Sequence, residues 1–425
     1  MLKWLIMVAI GSVCVTNLGA VEWQELYESR KQESIQYREA VLSRRIAEQG
    51  LSTQAGSLVP YFDVGLESEN EEAIRLIDGE LQPLSVVPTL RFEGLFGGDV
   101  TLSVPIGVYE TEEPITTIDL TVRSQLLAEI DVELLLSQAA ILHAQVDEYR
   151  QELAVRLQLM EDVLQARYHL QGQAIHNQNL AVLERLLSEA ESLEDEREVR
   201  RQILKAQRGS MQAEYGLQEI DAVIRNNNEE LYAQVMLLAD QWLRNVRMDG
   251  VVPAHSRRIR AREYELAAAQ LRRRRWLLPY LPNPVVSGGV AYDVLEGDVS
   301  WNVSLQFTVG VFDRGERRLA AFRRREESEI YKLRLHQEER NLRDAVRKAR
   351  NQLQIAELNR RLQEIDLEDA VDEERAVREL YDAGLATDES LVIAEIDVSV
   401  EQLAAMQMEH DFLMQRLRML EYYER

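Results

Sequence analysis

Between Val299 and Val311 hydrophobic and polar positions alternate without a fault. Val299, Trp301, Val303, Leu305, Phe307, Val309 and Val311 are apolar; Ser300, Asn302, Ser304, Gln306, Thr308 and Gly310 between them are small or polar. Successive side chains of a strand point to opposite faces, so this pattern predicts a strand with one wholly apolar face. Thirteen alternating residues exceed the ~5–6 of an ordinary soluble strand and slightly exceed the ~9–11 of a tilted membrane strand. The seven apolar residues are therefore a candidate lipid-facing surface. From about Arg314 to Leu380 the chain then contains neither Pro nor Gly apart from Gly315. That stretch predicts a helix of roughly 100 Å at ~1.5 Å per residue. A membrane-type strand running into so long a helix implies a tube that begins in a membrane and projects far from it.

The same order of elements occurs twice. Residues 21–246 predict a helix from about Trp23 to Ser57 that ends near Pro60, strands within about 60–123, and two helical arms, Ser124 to about Ala190 and Glu196 to about Val246. Residues 247–425 predict a helix from about Ala254 to Leu278, strands at about 284–312, and arms at 314–380 and 386–424. Strand candidates in the first half are Tyr61–Glu67, Val86–Glu93, Val100–Val108 and Ile115–Arg123; the second half adds Val285–Val294 and Val299–Val311. The arms carry coiled-coil spacing, as in Leu342, Val346, Ala349, Leu353 and Ala356, and in Leu217, Ile220, Ile224, Leu231, Val235, Leu238 and Trp242. An ordinary antiparallel coiled coil accounts for these stripes. The second hairpin turns at Tyr381-Asp382-Ala383-Gly384-Leu385, where a glycine lets the chain reverse, and the first within Ser188–Glu198.

Composition narrows the class. Residues 1–20 read as a secretory signal peptide, with Lys3, an apolar stretch from Trp4 to Val15, and Leu18-Gly19-Ala20 as the cleavage site. No later apolar run approaches the ~20 residues of a spanning helix. The only cysteine, Cys14, lies inside that signal, so a processed chain has no thiol for disulfides, catalysis or metal binding. A net charge of −24 argues against nucleic acid as a partner. Six strands at most cannot close a membrane barrel, which needs about eight or more, and an open edge is not tolerated in lipid. The barrel must therefore be shared between chains.

Enzymatic chemistry has no foothold here. The six histidines, at 143, 169, 176, 255, 336 and 410, show no metal spacing and are read as lying on solvated helix faces. Neither a phosphate-binding glycine loop nor a nucleophile elbow is present, and no cofactor is implied. The run Arg272, Arg273, Arg274 and Arg275 before Trp276 supports two readings. It is either an exposed helix end whose cations suit the C-terminal dipole, or a barrel rim at lipid headgroups with Trp276 and Tyr280 as interfacial anchors.

Four features together resemble the outer-membrane efflux protein family, the TolC-like channels. Leu277-Leu278-Pro279-Tyr280-Leu281-Pro282 followed by Ser287-Gly288-Gly289 resembles the family's helix-to-strand entry. Leu305-Gln306-Phe307-Thr308-Val309-Gly310-Val311-Phe312-Asp313-Arg314-Gly315 resembles its strand ending in a Phe-Asp-x-Gly turn before Arg-rich helix. Tyr381 to Gly384 resembles its Tyr-x-x-Gly hairpin turn, and the duplicated order covers the whole mature chain.

The resemblance implies a mostly α protein with transmembrane β: duplicated coiled-coil hairpins forming an α-barrel, continuous with an outer-membrane β-barrel shared by a homotrimer. It implies twelve strands in that barrel, a periplasmic adaptor protein and an inner-membrane transporter as partners, and passive export in efflux or type I secretion. The first half departs from the family in having more strand-like sequence, and the excess around Glu67–Leu84 is expected to form an external loop or an added hairpin. The tip departs too: Ser390 and Ile393 stand where acidic pore residues often occur, while Asp388 and Glu389 lie close by. These two either ring the entrance with charge or simply begin the last helix as favourable N-terminal charges. A periplasmic coiled-coil adaptor or structural protein is the alternative, although such a protein has no use for a thirteen-residue apolar strand face.

Overall fold

A computed structural model describes residues 23–54, 61–68, 76–77, 80–81, 84–95, 98–104, 106–109, 117–125, 129–189, 193–245, 256–280, 285–293, 298–306 and 314–422. The signal reading at 1–20 lies outside these residues, as do Phe307, Val309 and Val311 of the alternating stretch. Among the described residues no helix is long and apolar enough to cross a membrane.

The chain forms helices α1 (Trp23–Glu33) and α2 (Ile35–Gln54), then strands β1 (Tyr61–Ser68), β2 (Leu76–Ile77), β3 (Glu80–Leu81), β4 (Leu84–Leu95), β5 (Gly98–Ser103), β6 (Ile106–Tyr109) and β7 (Thr117–Gln125). Helix α3 (Ile130–Glu189) follows with 60 residues, then α4 (Leu193–Glu219), α5 (Ala222–Asn226), α6 (Asn228–Asn245) and α7 (Arg257–Arg274). Strands β8 (Val285–Asp293) and β9 (Val299–Gln306) lead to α8 (Glu316–Asp382), of 67 residues, and α9 (Asp388–Arg418). Short 3-10 turns occupy Leu278–Tyr280 and Met419–Tyr422.

Two compact units arise. One comprises Met1–Glu39, Glu148–Pro253 and Asn341–Arg425; the other comprises Ala40–Asp147 and Ala254–Arg340. Each draws on both halves of the sequence.

The first unit is helical. Trp23, Leu26 and Tyr27 share one face of α1 through i, i+3 and i+4 spacing. They pack with Leu159, Met160, Val163 and Leu164 of α3, Ile224 of α5, Leu231 and Val235 of α6, and Leu417 of α9. Fully burying a side chain of this size stabilises by about 1.5–3 kcal/mol. The expected second arm, Glu196 to about Val246, is broken in two places. The Asp221 carboxylate accepts the Val223 N–H at 2.9 Å, capping a new helix, and the Asn227 side chain donates to the Val223 carbonyl at 2.9 Å. Short polar side chains compete with helical hydrogen bonding in this way. The seam still holds: Leu217, Ile220, Ile224, Leu231 and Val235 are all buried.

The histidines correct the sequence reading. A Cβ at Gly216 would fall closer than 3.0 Å to the His169 ring, and one at Gly209 would do the same to His176. The α3 imidazoles thus lie against bare α4 backbone one heptad apart, and burial holds both pKa values low. His410 is only 6 % exposed. These three belong to helix interfaces rather than solvated faces; for His169 and His176, glycine on the facing helix leaves room for a flat ring. His336 is exposed, and His255 lies outside the described residues.

The second unit holds an antiparallel sheet in the order β1-β4-β5-β7-β8-β9, with β6 pairing on β4. The predicted strand Val100–Val108 is interrupted. Strand β5 pairs with β4 down to Ser103↔Thr89, and β6 resumes on the same neighbour at Ile106↔Val86. Pro105 between them lacks the N–H a ladder position needs. All six strand candidates fall in this one sheet. The described residues within Glu67–Leu84 include a short β2–β3 ladder, as the expected added hairpin would, while β1 and β4 extend the main sheet. Three copies would each contribute four strands to a twelve-stranded barrel; six strands stand side by side here.

Candidate functional site

The sheet's register lines up its side chains in rows. One row runs Phe62, Leu90, Leu102, Leu120, Val290, Trp301 across all six strands. The next runs Phe92, Val100, Val122, Gly288, Val303. Both are apolar throughout, and Val299, Trp301, Val303 and Leu305 are 64, 77, 70 and 53 % exposed. The intervening row, Arg91, Thr101, Thr121, Gly289 and Asn302, belongs to the other face and is polar or small. On that face the hydroxyls of Ser287 and Ser304 lie 2.6 Å apart. A Cβ at Gly289 would sit 2.9 Å from Asn302 Oδ1, so the glycine admits that side chain between strands. The four described members of the predicted stripe thus belong to an apolar surface spanning the whole sheet.

The arginine run lies where helices and strands of this unit meet. Arg275 makes a bidentate bridge to Asp131 at 2.8 and 2.7 Å, which holds the carboxyl below its ordinary pKa. Arg273 donates to Ser328 Oγ at 3.0 Å and to Glu329 at 2.6 Å, and Arg272 lies 3.8 Å from Glu327. The Arg325 guanidinium stacks 3.7 Å above the Trp276 ring, and Arg324 bridges to Glu129 at 2.5 and 3.1 Å. Three of the four arginines therefore clamp α7 to the starts of α3 and α8. Arg274 and Tyr280 are exposed. Sequence reasoning could not find these clamps, since Asp131 precedes Arg275 by 144 residues.

At the α8–α9 turn, Gly384 has φ +73°, in the left-handed region. The N–H groups of Gly384 and Leu385 donate to the Tyr381 and Leu380 carbonyls at 2.8 Å each, closing the helix end. Thr387 and Ser390 form a reciprocal capping box, at 3.2 and 3.1 Å. Asp388 and Glu389 fall in the first turn of α9, where backbone N–H groups favour negative charge, and Tyr381 near the end of α8 is exposed. Across this hairpin Arg378 pairs with Glu395 at 2.8 Å.

A groove of about 590 Å³ runs between α3, α8 and α9, lined in part by Tyr168, Asn359, His410, Asp411 and Arg418. His410 Nε2 lies 3.2 Å from the Tyr232 hydroxyl. Burial first, then the nearby Arg167 charge, pushes its pKa down to about 4. A depressed histidine pKa adds stability above its unfolded value of about 6.5, and that stability is lost as pH falls toward 4. The drop amounts to roughly 3 kcal/mol. The stability of the parent chain minus that of His410→Gln, from denaturation midpoints followed from pH 7 to 4, should therefore fall with pH. Parallel pH profiles would contradict this. Taking the difference between the two chains removes the carboxylates, among them Asp411, whose pKa burial raises.

The chain has the fold of solved outer-membrane channels of the TolC-like kind. The chain is similar to the open-state MtrE outer membrane channel of Neisseria gonorrhoeae, with TM-score 0.59 at 13 % identity, covering 94 % of this chain and 88 % of that one. It is similar to the outer membrane protein VceC of Vibrio cholerae, at 0.59 and 10 %, covering 94 and 95 %. It also matches the CmeC outer membrane channel of Campylobacter jejuni, at 0.57 and 12 %, covering 96 and 89 %. No family model matches the sequence, and no curated protein does.

Proposed function

We propose that this protein is the outer-membrane channel of a tripartite efflux or type I secretion system, and is not an enzyme. It is a passive duct from periplasm to exterior. A homotrimer shares the barrel, and a periplasmic adaptor protein with an inner-membrane transporter supplies the driving force at the helical tip. The observation that carries this reading is the unbroken apolar row from Phe62 to Trp301. A sheet with open edges and an exposed apolar face is stable in lipid only when closed against further strands. Assembly is also supported on the helices. Ile355, Leu358, Leu362 and Ile365 of α8, and Leu204, Met211 and Tyr215 of α4, leave exposed stripes at coiled-coil spacing.

In this reading the alternating residues of β9 face lipid, and Arg274 with Tyr280 stands at the rim. Asp388 and Glu389 recur around the tip by symmetry. Density-gradient fractionation tests the location: the chain is expected with outer membranes and resistant to carbonate extraction. Recovery in the soluble periplasmic fraction would overturn the reading. A second expected result concerns the tip. Changing Asp388→Asn and Glu389→Gln together lowers cation preference in bilayer recordings, and unchanged reversal potentials would remove both residues from the entrance.

A further inference from the structure

We infer that each chain places six strands, rather than four, in the barrel wall, and that the wall closes by pairing β9 of one copy with β1 of the next. The inference rests on the outer-membrane reading above. Four observations carry it. The β1–β4 hairpin is a full member of the sheet, since all eight residues of β1 pair in unbroken register with β4. It also shares the sheet's two-faced character. Phe62 lies in the apolar row that ends at Trp301, and Phe62 and Val64 are exposed like their counterparts on β9. Asp63 alternates with them on the other face.

The length of β4 agrees with a wall position. Strand β4 is 12 residues long, and its ladder with β5 continues through β6. This is enough to cross the hydrocarbon at membrane tilt, where ~9–11 residues suffice. Finally, six successive antiparallel strands leave β9 running opposite to β1, so identical copies related by rotation meet in an antiparallel ladder. A hairpin folded away from the wall would leave its apolar row without either lipid or a core.

The consequence is a wider duct. Barrel diameter grows roughly in proportion to strand number, so three copies with six strands each form a wall of eighteen, about 1.5 times as wide as one of twelve. Strand counts of 16–18 leave an aqueous channel rather than a side-chain-filled interior.

Cysteine cross-linking decides the matter. In the full chain, Asp63→Cys on β1 is combined in turn with Ser300→Cys, Asn302→Cys and Ser304→Cys on β9, and outer membranes are oxidised with copper phenanthroline. At least one pair is expected to shift the protein to dimer and trimer masses on non-reducing gels. The rival set replaces the β1 partner with Thr101→Cys on β5, the strand that would form the edge of a four-strand contribution. Adducts from the Thr101 set overturn the six-strand wall while leaving the outer-membrane channel intact. Absence of adducts from the Asp63 set also overturns it, provided the intrachain control pair Ser287→Cys with Ser304→Cys closes. Loss of the chain from the membrane fraction refutes the channel reading itself.

Discussion

Val303→Arg is expected to prevent the chain from reaching an assembled, heat-resistant membrane form. Val303 is 70 % exposed in the middle of the apolar face of β9. A lipid-facing Arg near the bilayer midplane costs about 2–4 kcal/mol per chain, so the three copies of the proposed trimer would carry roughly 6–12 kcal/mol. Ser300→Arg, three residues earlier on the polar face, serves as the control and should assemble normally. Semi-native gels of outer membranes read both outcomes. Trimers of normal heat resistance from Val303→Arg would mean that this face does not meet lipid.

The second large effect lies in the helices. Replacing Gly209 and Gly216 together with Leu should strongly destabilise the α3–α4 pair. An added Cβ at either position already falls closer than 3.0 Å to an imidazole, His176 or His169. Overpacking of this kind costs about 1–3 kcal/mol per site. That outweighs the ~1 kcal/mol which removing a helical glycine returns. Adding His169→Ala to Gly216→Leu vacates the space and should recover part of the loss. Thermal melts of the parent, single and rescued chains read the difference. An unchanged melting temperature in the double-Leu chain would show that α3 and α4 do not meet at these residues.

The parts legible in the sequence were those fixed by local pattern. Alternation located β9 and most other strands, and freedom from Pro and Gly marked out α8 within a few residues at each end. Gly384 marked the turn because its backbone needs positive φ. What escaped depends on distant partners. The α3 histidines have meaning only once Gly209 and Gly216 face them from α4. The arginines before Trp276 allowed either a helix end or a rim at lipid headgroups, and no local pattern showed that Asp131, Glu327 and Glu329 pair with three of them. The six strands were legible, but not their neighbours: β1 and β4 carry strand-like sequence, and only their register attaches them to the main sheet. Of the tip, the sequence located Asp388 and Glu389 and left their role between a helix start and an entrance ring. The capping box formed by Thr387 and Ser390 accounts for the first role; the second depends on neighbouring copies.

Single-channel recording of the detergent-extracted protein in planar bilayers tests the central claim most directly. The account predicts stable, step-like conductance from an oligomer that retains the native heat resistance. A folded protein that leaves the bilayer silent, and that fractionates with soluble periplasmic proteins, would contradict it.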